Sequence, residues 1–122
     1  MSPADPTAAT ATDPTCVVVL STAPDILLAK RIAHVLIEER LAACVQLTPP
    51  TLSVYEWNGE VQGAEEIGLI IKTTRSIARQ TIDRLVGLHP YDVPEAIVLP
   101  VVGGHHGYLT WVSQQIEQVS SR

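Results

Sequence analysis

Apolar positions along the chain switch between two periods. Cys16-Val17-Val18-Val19-Leu20 is a short continuous apolar run ended by Ser21, the mark of a strand covered on both faces. Ala23-Pro24-Asp25 then signals a helix start, with proline near the first turn and an acid beside the positive end of the dipole. A helix is predicted over 25–41. Leu28, Ala29, Ile32, Ala33, Leu36 and Ile37 form one stripe, while Lys30, Arg31, His34, Glu38 and Glu39 take the other side. Cys44-Val45-Gln46-Leu47 begins a second strand, Pro49-Pro50 interrupts it, and Leu52–Trp57 resumes it with a period of two. Asn58-Gly59 marks a hairpin, because a type I′ turn needs positive φ at both central positions. Residues 60–74 return as a third strand, with Ile67, Leu69 and Ile71 alternating against Glu66, Gly68 and Ile70. A second helix follows over 75–86, with Thr74 as its cap and Gly87 where a C′ glycine belongs. His89–Glu95 is a proline-framed loop, Ala96–Val101 a fourth strand, and 107–119 a last helix carrying Tyr108, Leu109, Val112 and Ile116 near one face.

This order is βαβ, hairpin, βαβ, then a terminal helix. With right-handed crossovers it implies an α+β fold: the ferredoxin-like split βαβ sandwich, one antiparallel sheet with two helices on one face. The hairpin between strands two and three is long, and the C-terminal helix is extra. One sheet face stays open, and Ile70, Val54 or their neighbours point there. Composition bears on that face. Of 122 residues, 46% are apolar and only 17% charged. So few charges leave apolar surface to be covered elsewhere, which points to an oligomer.

The formal charge of −5 and the scarcity of lysine (Lys30 and Lys72) argue against a nucleic-acid partner and against a polybasic membrane surface. No apolar run approaches the roughly 20 residues that span a bilayer. Residues 1–15 lack the basic and apolar regions of a signal peptide, and their prolines, alanines and threonines read as a disordered tail before one domain over 16–122. Two cysteines are too few for a disulfide framework and fit a cytoplasmic protein. Cys44, starting an apolar strand, reads as buried. Cys16, beside the tail, reads as the more exposed and more oxidisable thiol.

Six blocks stand in register: Leu20-Ser21-Thr22-Ala23-Pro24-Asp25, Glu39-Arg40-Leu41-Ala42-Ala43-Cys44-Val45, Tyr55-Glu56-Trp57-Asn58-Gly59, Ile71-Lys72-Thr73-Thr74, His89-Pro90-Tyr91-Asp92-Val93-Pro94-Glu95 and Tyr108-Leu109-Thr110-Trp111. Over about residues 16–118 the chain resembles the CutA family, the divalent-cation tolerance proteins. The resemblance implies a cytoplasmic homotrimer, similar to PII signalling proteins, with sheets packed around a threefold axis. It also implies a non-enzymatic role in tolerance to copper and other divalent metals. The ligand positions proposed for the family, a cysteine and two adjacent histidines, hold Ser21, Leu88 and His89 here. Only His89 matches, so it is the one candidate ligand for Cu²⁺ or another divalent cation. Serine and leucine do not replace soft donors.

His89 has a plainer reading as well: an imidazole before a rigid Pro-Tyr turn can bond a backbone carbonyl and fix the loop. His105-His106 follow Gly103-Gly104 and read as two solvated histidines, as does His34 on the polar helix face. Lys72 lies in an apolar strand, where a lysine needs a partner. Glu95 is one candidate, and Glu65 or Glu66 from the hairpin arm of another copy is a second. A sharper possibility is a cleft between subunits lined by Trp57, Lys72, His89, Tyr91 and Glu95 that takes a small molecule, as in a PII-like binding trimer without metal. An enzyme with His89 as general base is the remaining alternative, and no nucleophile motif supports it.

Overall fold

A computed structural model describes residues 15–117. The tail expected over 1–15 lies outside the described residues except for Thr15, and so does the end of the domain beyond 117. The elements are β1 (Cys16–Ala23), α1 (Ile26–Glu38), β2 (Cys44–Trp57), β3 (Glu60–Thr74), a 3₁₀ turn (Arg75–Ile77), α2 (Ala78–Leu88), β4 (Ile97–Pro100) and α3 (His106–Glu117). The sheet order is β2-β3-β1-β4, and every pairing is antiparallel. This is the expected ferredoxin-like sandwich.

Alternation places the core. Val19 and Ala23 of β1 and Ile67, Leu69 and Ile71 of β3 pack on Ala29, Ile32 and Leu36 of α1 and on Leu85 of α2. Burying each of the valine, leucine and isoleucine side chains stabilises by about 1.5–3 kcal/mol. The opposite face carries Val18, Leu20, Ile70 and Lys72. α3 covers only its Cys16 end, where Cys16, Leu109 and Val112 form a second small core with Ala43 and Val101. Cys16 is therefore 3% exposed, not the accessible thiol expected, because a helix too distant in sequence to be foreseen lies over it. Cys44 is only half-buried, since β2 is the outermost strand on its side.

Local chemistry explains the boundaries. Asp25 caps α1 by accepting the Leu28 N–H at 2.8 Å. The helix stops at Glu38 rather than 41 because Arg40 turns left-handed, at φ 59°. The Leu41 N–H bonds the Leu36 carbonyl at 2.8 Å and the Arg40 N–H bonds the Ile37 carbonyl at 3.1 Å. This is a Schellman motif with arginine where glycine is usual. At α2 the expectations reverse. Gly87 stays inside the helix, which runs on to Leu88 with His89 as its cap. Thr74 makes no capping bond and meets the Ser76 hydroxyl at 3.2 Å instead.

Asn58 and Gly59 have φ of 51° and 80°, as the tight hairpin requires. Pro49-Pro50 does not end β2. The register shifts between Leu47 and Pro50, a bulge that lets the strand continue. The Thr48 hydroxyl fills the gap in the ladder: it accepts the Gly68 N–H at 2.8 Å and donates to the Pro49 carbonyl at 2.8 Å. Gly68 is bound to this device, for a Cβ there would stand 2.9 Å from Thr48 Oγ1.

Candidate functional site

The loop after α2 returns to the end of β1, and four side chains meet there. The His89 ring, 9% exposed, places Nε2 2.7 Å from the Thr22 carbonyl. A carbonyl only accepts, so Nε2 carries the proton. His89 Nδ1 in turn accepts the Tyr91 N–H at 3.2 Å, and the two rings lie 4.6 Å apart. The Tyr91 hydroxyl donates to Glu66 Oε2 at 3.1 Å, and the Thr22 hydroxyl donates to the same oxygen at 3.3 Å. Glu66 is 8% exposed. Its charge is met by these two hydroxyls, and among the described residues it has no ion pair. Burial first, then the bond to the Glu66 carboxylate, holds the Tyr91 phenol above its ordinary pKa.

The five residues expected to line one cleft lie in three places within a protomer. His89 and Tyr91 are in contact, and Glu95 from the same loop borders a shallow cavity of about 220 Å³ beside the bulge, with Thr22, Thr48, Ser53 and Ile70. Lys72 lies nearer the opposite end of the sheet, with Nζ 5.4 Å from the centre of the Tyr108 ring. Within the chain its partner is thus the π face of an aromatic residue on α3 rather than Glu95. Trp57 stands at the hairpin tip, 62% exposed. Sequence reasoning missed Tyr108 and the pairing of Glu66 with Tyr91. The one available signal for the latter was Glu66 itself, a charge at the start of the alternating run of β3.

The fold and these contacts can be set beside known proteins. The family described as CutA1 divalent ion tolerance protein matches residues 17–115. The chain belongs to the CutA family. A divalent-cation tolerance protein CutA from Pectobacterium atrosepticum is 45% identical over 82% of this chain and 91% of its own length. A CutA protein from Arabidopsis thaliana, named as chloroplastic, is 44% identical over 79% of this chain, which spans about half of that longer relative. The crystal structure of CutA from Xylella fastidiosa superposes with a TM-score of 0.82 at 43% identity, over 84% of this chain and 98% of that one. CutA membership fixes the chain as a divalent-cation tolerance protein by family.

Among the described residues of one CutA protomer the donors do not fit a resident cation. Among the described residues no three His, Cys, Asp or Glu side chains are placed to hold a metal ion. His89 has Ser21 and Leu88 where soft donors would be needed, and both of its nitrogens are already bonded. No helix among the described residues is long and apolar enough to cross a membrane.

Proposed function

We propose that the chain works as a cytoplasmic, non-enzymatic homotrimer in the cell's tolerance of divalent metals, acting through a small ligand or partner bound between subunits. The cation is the challenge the cell meets rather than a fixed cofactor. The observation that carries this reading is the edge strand β4. Ile97, Val98 and Leu99 are all exposed although they alternate between the faces of the sheet, and among the described residues β4 pairs only with β1. A bare apolar edge of this kind invites strand addition from another copy. The hairpin supplies a complementary surface, because Leu52, Val54, Trp57 and Val61 are exposed along its arms. In this reading a second copy brings Trp57 and Lys72, separated within one protomer, towards His89, Tyr91 and Glu95. Cys16 and Cys44 are in no disulfide, which suits a reducing compartment.

Light scattering with sedimentation tests the assembly. Wild type is expected at three chain masses, and Leu99→Asp, which puts a charge on the bare edge, at one. Expression of both in cells that lack their own copy then tests the role: wild type restores growth in copper and Leu99→Asp does not. A wild-type monomer would end this reading.

A further inference from the structure

We propose that His89 in this chain is a pin for the loop that feeds β4, and not a cation ligand. The bond from Nε2 to the Thr22 carbonyl does not decide the matter, because a metal-bound histidine also donates its other N–H in this way. Nδ1 decides it. A neutral imidazole keeps one lone pair, a metal ligand must spend that pair on the metal, and here the Tyr91 N–H holds it at 3.2 Å. A cation at Nδ1 would displace the Tyr91 backbone. It would thereby pull the Tyr91 hydroxyl from Glu66 and leave a nearly buried carboxylate with only the Thr22 hydroxyl. The two other positions proposed for family ligands do not offset that loss: the Leu88 side chain has no donor atom, and the Ser21 hydroxyl faces the Thr22 carbonyl at 3.4 Å.

The same contacts have a positive task. Leu20 pairs with Ile97, the first residue of β4, and Thr22 follows Leu20 by two residues on the same strand. Fastening His89 and Tyr91 to Thr22 and Glu66 therefore ties the start of the connection to the place where β4 must begin. β4 has only four register pairs with β1. The pin fixes the position of an edge that so short a strand holds weakly by itself.

The test uses the full chain with Zn²⁺ as the probe. Nitrogen NMR of the wild-type rings is expected to show His89 with a proton on Nε2 and a hydrogen-bonded Nδ1, unmoved by one equivalent of Zn²⁺. Calorimetric titration is expected to give the same zinc stoichiometry and affinity for wild type and His89→Ala, while His89→Ala exchanges its amide protons over residues 91–100 at least tenfold faster. His89→Gln, which keeps one donor and one acceptor, is expected to recover part of that protection. A saturable zinc site lost in folded His89→Ala, or a zinc-induced shift of the His89 ring nitrogens, would overturn the proposal. The NMR result on wild type decides alone should His89→Ala fail to fold. A monomeric wild type would leave this outcome untouched, so the pin and the trimer fail separately.

Discussion

Two parts of the sheet treat their polar and apolar groups in opposite ways. Where β1 ends, the chain supplies its own partners: Thr22, Glu66, His89 and Tyr91 bond one another, and at the adjoining bulge Thr48 completes the ladder for Gly68. Among the described residues, no buried side-chain nitrogen or oxygen lacks a hydrogen bond. At β4 and along the hairpin the described residues supply no cover, and Ile97, Val98, Leu99, Leu52 and Trp57 are exposed. The difference separates groups that define the protomer from groups that await another molecule. A polar residue that looks functional in sequence, such as His89, belongs to the first set when every bonding site on it is taken. An unremarkable apolar tetrapeptide belongs to the second.

The largest expected effect comes from breaking the self-satisfied part at its tightest point. Gly68→Ala puts a Cβ 2.9 Å from Thr48 Oγ1 and 3.0 Å from Thr48 Cγ2, a side chain held by its own hydrogen bonds. The strain is expected to cost about 1–3 kcal/mol. Thr48→Ala costs on the order of 1–3 kcal/mol by a different route, since it leaves the Gly68 N–H without an acceptor. The double variant removes the clash together with the bond, so it falls short of the sum of the two. Urea unfolding at one fixed protein concentration measures the cycle. Strict additivity would show that Thr48 and Gly68 are not a unit. The mass of the proposed trimer is expected to stay unchanged in all three, and that result separates the bulge from the bare edge.

These residues also show what was legible in the sequence and what was not. Period-two alternation at Ile67, Leu69 and Ile71 and the Asn58-Gly59 turn are local signals, and they yield the strands, the hairpin and thereby the sheet. The ends of elements depend on contacts that cross the chain. Pro49-Pro50 reads as a break because proline gives no ladder bond. The strand survives because Thr48 bends back to the Gly68 N–H, a partner 20 residues away. Gly87 reads as a C′ residue by type, yet the left-handed position falls on Arg40 at α1, where the Leu36 carbonyl and the Thr73 and Thr81 hydroxyls on the Leu41 carbonyl fix the turn. At the site, His89 was legible as a carbonyl-bonded loop residue. Its Tyr91 and Glu66 partners were not, because no periodicity links a loop to the middle of β3.

A smaller effect tests the pinned end by pH. Tyr91→Phe keeps the ring beside His89 and removes only the bond to Glu66, at a cost of about 0.5–1.5 kcal/mol near neutrality. The phenol is raised in the fold, so its neutral form is the favoured one. That contribution is complete below the ordinary tyrosine value near 10 and is lost as pH rises through the higher folded value. Wild type is therefore expected to lose stability above about pH 10 more steeply than Tyr91→Phe. Parallel curves in chemical denaturation would mean that Glu66 and Tyr91 do not interact in solution.

The smallest effect lies outside both parts and calibrates them. Arg84 meets Glu39 through Nε at 2.9 Å and Nη2 at 2.9 Å, between side chains a little over 40% exposed. The hydrogen bond from Arg84, more than its charge, holds the Glu39 carboxyl below its ordinary value. A depressed carboxylate stabilises the fold above its unfolded pKa, and the contribution disappears as pH falls through the folded one. Solvent and salt screen such a pair. Arg84→Gln is therefore expected to flatten the acid limb of the stability curve slightly, to lose that effect at high salt, and to leave the alkaline limb and the mass of the assembly as they are. An Arg84→Gln loss at neutral pH as large as that of Tyr91→Phe would put an exposed ion pair on a level with the Tyr91 bond to the nearly buried Glu66, and the distinction between inward and outward groups would then fail for this molecule.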